Sequence, residues 1–196
     1  MLAVQLSFAE APMIAPTQFN VLAVLLALAV PLPALAGAPT PDGASLEYGS
    51  GSKVALLRAG LQSHWERRWF EHNGRHIGAY WDVQLARWQG RAYQNVKGQN
   101  QNITDFGLTP VFRWQADERK GWYLEGGIGV HWLSALVDND ANCLSTRFQF
   151  GDHAGAGYVL DNGWDLGLKV QHFSNGGIKK PNSGVNFVVV KVTRAF

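Results

Sequence analysis

Two residues near the C-terminus, His172 and Ser174, have the types and the spacing for nucleophilic attack on a carbonyl. A serine hydroxyl is a weak nucleophile until a neighbouring base takes its proton. On a β-strand, residues i and i+2 point the same way about 6.5–7 Å apart, within side-chain reach of each other. The segment Trp164–Ser174 reads as such a strand. Trp164, Leu166, Leu168 and Val170 form an apolar face that continues into His172 and Ser174, while Asp165, Gly167, Lys169 and Gln171 lie opposite. In the following segment Asn186 shares a face with Val188, Val190 and Val192, and can lie beside His172 across the ladder. Its carbonyl can accept from the ring N–H and fix the tautomer, but it carries no charge to stabilise an imidazolium. A blander account is equally open from parity alone: polar groups at the end of an apolar stripe that lie above a hydrocarbon layer.

The elements that position these residues follow from period-two patterning. In His76–Arg87, Ile77, Ala79, Trp81, Val83 and Leu85 alternate with His76, Gly78, Tyr80, Asp82 and Gln84. In Gly121–Ser134, Trp122, Leu124, Ile128, Val130 and Trp132 alternate with Tyr123, Glu125, glycines and His131. Asn102–Gln115 and Thr146–Leu160 behave likewise, and Ala44–Gly51, Lys53–Trp65, Gly163–Ser174 and Gly184–Phe196 complete eight strands. Turn signals such as His72-Asn73-Gly74 and Asp161-Asn162-Gly163 separate them.

Composition decides which face is outside. Charged residues are 16% of the 196, against the ~25% usual for soluble domains, while the chain holds eight Trp and 22 Gly. The face with small and polar residues suits the narrow interior of an eight-strand barrel, and the Trp-fringed apolar face suits lipid. The expected fold is therefore all-β: an eight-stranded antiparallel up-and-down transmembrane β-barrel of the outer-membrane type. A soluble lipocalin-like barrel is the competing architecture. A net charge of +2 without basic runs argues against nucleic-acid binding, and the single Cys143 excludes an internal disulfide framework.

All seventeen basic residues lie at or after Lys53, preceded by the apolar run Val21–Ala36, which ends in Ala34-Leu35-Ala36. This reads as a signal peptide over residues 1–36, with Met13 as an alternative start, leaving 37–196 as the barrel. With an even strand number both termini lie on the periplasmic side, so Ser174 reaches the extracellular rim beside the outer leaflet. The chain closes on Phe196, resembling the terminal aromatic by which the barrel assembly machinery recognises outer-membrane strands.

Residues 172–184 read His-Phe-Ser-Asn-Gly-Gly-Ile-Lys-Lys-Pro-Asn-Ser-Gly, which resembles the active-site segment of the lipid A 3-O-deacylase (PagL) family of outer-membrane barrels. Looser similarity runs through Gly78-Ala79-Tyr80-Trp81-Asp82 and Pro110-Val111-Phe112. The resemblance implies hydrolysis of the ester-linked 3-O-acyl chain of lipid A, with lipopolysaccharide as substrate, outer-membrane lipids as surroundings and no cofactor. It implies Ser174 as nucleophile and His172 as base. The family's orienting Glu falls on Asn186, which implies a slower hydrolase, one that borrows another acid, or an inactive relative.

The loop after Ser174 offers an oxyanion hole from Gly176 and Gly177 N–H groups and the amides of Asn175 or Asn182. Lys179 and Lys180 could pair with lipid A phosphates, with Arg147 at the same rim. The competing functions are a structural or adhesive barrel with a lapsed site, and an acyltransferase barrel. A homodimer is left open. His76, His131 and His153 are expected inside the barrel with no metal, Glu125 with Asp152, Asp165 or Lys169 as interior ion pairs, and Cys143 in an exposed loop.

Overall fold

The computed structural model describes residues 40–196; the expected leader, residues 1–36, lies outside them. Eight long strands close into an antiparallel barrel: β1 (Gly43–Gly51), β2 (Val54–His64), β4 (Arg75–Gly90), β5 (Gln101–Ala116), β6 (Gly121–Leu133), β9 (Phe148–Val159), β10 (Trp164–Ser174) and β11 (Val185–Ala195). Each pairs with its neighbours in sequence, β1 pairs with β11, and the seam closes without an edge. Three short strands add to the expected eight. β3 (Trp69–His72) extends β4 at the end that carries the termini, and β7 (Val137–Asn139) pairs with β8 (Asn142–Leu144) as a hairpin at the opposite rim.

The apolar face is outside. Leu85, Phe106, Leu108, Leu124, Ile128, Leu168, Val170, Val188 and Val190 are all exposed, which a soluble barrel of this size would not tolerate. Trp114, Trp122, Tyr158 and Trp164 ring the end near the termini, and Trp132, Phe148 and Phe150 ring the far end. Two aromatic girdles flanking an apolar band are the surface of a membrane-spanning barrel. Ala79 departs from this pattern: it points outward yet is buried, in the stretch where Trp65 and Trp69 fold back to stack against Trp81 and Phe112.

The interior divides in two, where the sequence led us to expect polar residues throughout. Its half near the termini holds two ion networks. Glu47 joins Arg58 and Lys169, and Arg58 reaches Gln171 at 2.7 Å. Glu125 joins Arg113 and Lys191, Arg113 also binds Asp165 at 2.9 Å, and Tyr123 donates to Asp165 at 2.6 Å. Charges buried this deeply must be mutually satisfied. The other half is a plug of Leu56, Trp88, Ile103, Leu133, Leu144, Phe173, Val185 and Phe187. These residues alternate with lipid-facing ones, so their strands are apolar on both faces near that rim. That is why alternation alone did not reveal the plug.

His76, His131 and His153 are buried inside as expected; His76 meets Asp117 at 2.9 Å and His131 meets Asp105 at 3.0 Å. No group of three metal-binding side chains occurs among the described residues. Asp152 corrects the sequence reading. It has the parity of Phe150 and Ala154, so it stands on the outer face, while Glu125, Asp165 and Lys169 find other partners. Cys143 is half-buried in β8, its Sγ 3.4 Å from Asp138.

Candidate active site

His172 and Ser174 are the last outward-facing residues of β10, at the rim opposite the termini. Phe173 between them points inward, fully buried against Trp88 at 4.6 Å and Phe187 at 6.0 Å between ring centroids. The two polar side chains are thereby mounted on a strand end anchored by the plug behind it. That is a rigid platform of the kind catalytic positioning needs.

The β10–β11 register sets His172 opposite Asn186, and the ring Nδ1 lies 2.7 Å from Asn186 Oδ1. An amide oxygen accepts, so Nδ1 carries the proton and donates, leaving the Nε2 lone pair to act as a base. Gly184 makes room for the ring. A Cβ there would come within 2.6 Å of His172 Cε1, and its φ of +77° is one that glycine adopts freely. Neither reason for this glycine can be seen in the sequence.

Ser174 Oγ lies 3.4 Å from the Gly176 N–H, and no His172–Ser174 hydrogen bond forms among the described residues. Such bonds are often loose without substrate and tighten as the reacting carbonyl arrives.

Two of the four expected oxyanion donors are engaged elsewhere, which corrects that part of the sequence reading. Asn175 is fully buried; its Nδ2 donates to Lys179 O at 2.7 Å and its Oδ1 accepts the Gly177 N–H at 2.9 Å. These bonds close the loop on itself, because a buried amide must be satisfied. Asn182 Oδ1 accepts the Asn175 N–H at 2.9 Å. The Gly176 N–H, aimed at Ser174, and the amide nitrogen of Asn182 remain as candidates. Lys179 and Lys180 are exposed beside the site, as is Arg147 just before β9.

The β7–β8 hairpin braces this loop, a role no sequence signal marked. Leu144 bridges to Asn182, Ser183 N–H donates to Cys143 O at 3.0 Å, and Ser145 Oγ donates to Lys179 O at 2.8 Å.

Below His172 the outer wall carries a groove of about 880 Å³. Ser50, Gly126, Ala154, Val170 and Val188 are small or flat residues along it, and Pro110, Phe112 and Ile128 form its far side. Asp152, His172 and Asn186 stand along one edge. Apolar, open to the membrane side and edged by a base, the groove suits an extended hydrocarbon chain whose carbonyl ends near Ser174.

Comparison with known proteins agrees with this arrangement. A family-level match to Lipid A 3-O-deacylase (PagL) covers residues 54–194. Lipid A deacylase PagL of Bordetella bronchiseptica is 33% identical over 166 residues, covering 81% of this chain and 85% of the relative. Lipid A deacylase PagL of Pseudomonas aeruginosa is 30% identical over 151 residues, covering 77% and 84% respectively. Among solved structures, the crystal structure of the outer membrane enzyme PagL aligns with a TM-score of 0.68 at 25% identity, covering 79% of this chain and 99% of that one.

Proposed function

The chain belongs to the lipid A 3-O-deacylase (PagL) family, and from that premise we propose that Ser174, His172 and Asn186 form its catalytic centre. The protein is an outer-membrane β-barrel hydrolase that removes the ester-linked 3-O-acyl chain of lipid A. Lipid A is the membrane-embedded part of lipopolysaccharide, so its ester reaches the protein from the side.

In this reading Ser174 Oγ attacks the acyl carbonyl carbon while His172 Nε2 takes its proton. The tetrahedral oxyanion is met by the Gly176 N–H and the Asn182 amide. Collapse breaks the bond to the sugar oxygen, which leaves with the proton from His172. Water then attacks the acyl-serine, again giving its proton to His172, and the fatty acid departs as Ser174 is restored. Asn186 holds Nδ1–H so that Nε2 always faces the serine. The observation carrying this assignment is the 2.7 Å contact between His172 Nδ1 and Asn186 Oδ1 beside an outward-facing serine at the head of an apolar groove. Lys179 and Lys180 are placed to meet lipid A phosphates at the headgroup level.

Residues 1–36 are read as the export leader, and β11 with its terminal Phe196 as the strand presented to the barrel assembly machinery. Mass spectrometry of lipid A from cells expressing the protein, beside a Ser174→Ala control, tests the catalytic assignment. Loss of one hydroxyacyl mass that the substitution abolishes is the expected result. Loss that persists in Ser174→Ala removes Ser174 as nucleophile.

A further inference from the structure

We propose that Asp152 supplies the negative charge that Asn186 cannot, so that the two jobs of a single orienting carboxylate are divided between residues on opposite flanks of His172. The inference rests on the catalytic reading above. The β9–β10 register sets Asp152 directly opposite His172, as β10–β11 sets Asn186 on the other side. Directly opposed residues on one face of an antiparallel pair have Cβ atoms about 4.5–5.5 Å apart. The outer faces of the flanking strands present Phe150, Asp152 and Ala154 on β9 and Gly184, Asn186 and Val188 on β11. Asp152 is therefore the one titratable group that faces the ring from either strand.

No other side chain among the described residues pairs with the Asp152 carboxylate, although interior carboxylates such as Glu47, Glu125 and Asp165 all have cationic partners. An acidic residue on the apolar outer wall of a barrel is costly unless it has work to do. Both neighbours edge the same groove as His172. Asn186 Oδ1 occupies Nδ1 and sets the tautomer, while Asp152 acts through space. Its charge favours the imidazolium that forms when Ser174 gives up its proton. Asp152 is thus a positioning residue in the electrostatic sense, and touches neither substrate nor serine.

An opposite charge about 5 Å away, at an effective dielectric of about 20–40, changes the stability of a cation by roughly ten- to a hundredfold in equilibrium terms. The experiment measures kcat, KM and the pH profile of 3-O-deacylation on purified lipid A in detergent micelles. The variants are Asp152→Asn, Asp152→Glu, Asn186→Glu and the double variant Asp152→Asn with Asn186→Glu. Barrel closure is checked by migration of unboiled protein on gels. Asp152→Asn is expected to lower kcat about ten- to a hundredfold with KM little changed. Because the lost carboxylate had favoured protonated His172, the acidic limb of the profile moves to lower pH. A residue that only packs would leave that limb in place. Asp152→Glu retains part of the rate, and Asn186→Glu restores it in the Asp152→Asn background by returning a carboxylate from the other flank.

An unchanged acidic limb in a folded, slowed Asp152→Asn protein overturns the proposal, as does a folded double variant that stays as slow as Asp152→Asn. The underlying site reading fails separately, through Ser174→Ala. If that variant is inactive while Asp152→Asn matches the parent, the site stands and Asp152 has no part in it.

Discussion

Gly184→Ala puts the geometry around His172 to its hardest test. The added Cβ would lie 2.6 Å from Cε1, 3.4 Å from Nε2 and 3.5 Å from Nδ1, so it presses on the face of the ring. Restoring ordinary contact requires a movement of about 0.8 Å, and the ring is the softer partner because Gly184 is buried and φ there is +77°. Moving the ring either stretches the 2.7 Å bond to Asn186 or swings Nε2 away from Ser174. A displacement near 1 Å in a catalytic group typically costs about 10²-fold in rate. The positive φ adds about 1–2 kcal/mol of backbone strain, which reduces stability without touching chemistry. Gly98→Ala separates the two effects. Its φ is +86°, it lies in another loop at the same rim, and its Cβ meets nothing within 4 Å. Acyl release from lipid A in micelles should fall about 10²-fold for Gly184→Ala, whereas Gly98→Ala should stay within about threefold of the parent. A folded Gly184→Ala protein at parental rate would refute the claim that this glycine exists to seat the imidazole.

Three other outcomes follow from the same geometry. Asn186→Ala removes the acceptor that fixes the ring, and kcat should fall about 10²–10⁴-fold, the scale of losing tautomer control, with barrel closure intact on unboiled gels. Glu47→Gln leaves Arg58 and Lys169 buried without their shared anion, and should cost about 3–5 kcal/mol in urea unfolding from detergent while deacylation of the folded fraction is retained. Phe173→Ala opens a cavity directly behind the site, between Trp88, Phe187 and His131, and should cost about 3–5 kcal/mol of stability while also lowering the rate, because the platform loosens.

The strands and their faces were legible because a membrane barrel writes its pattern on every strand: lipid demands apolar residues at alternate positions, and turns demand Gly, Asn and Asp between them. His172, Ser174 and Asn186 could be placed together because strand parity and hairpin register leave few alternatives once one side faces lipid. Asp152 was misplaced inside for lack of attention to that same parity. Counting from Phe150 and Ala154 puts it outside, but only the β9–β10 register tells which residue it faces. The apolar plug of Trp88, Phe173 and Phe187 could not be read by alternation, since both faces of those strand ends are apolar. The roles of Asn175 and Gly177 depended on loop closure and bracing by the β7–β8 hairpin, contacts between segments some thirty or more residues apart. Gly184 has a reason only when the imidazole is already in view.

Deacylation of purified lipopolysaccharide by Ser174→Ala, read as free hydroxy fatty acid released per barrel, tests the central claim most directly. The expected result is a loss of at least about 10³-fold relative to the parent, because without the nucleophile only the groove and the oxyanion donors remain. Release within about tenfold of the parent by a folded Ser174→Ala barrel would contradict the catalytic assignment.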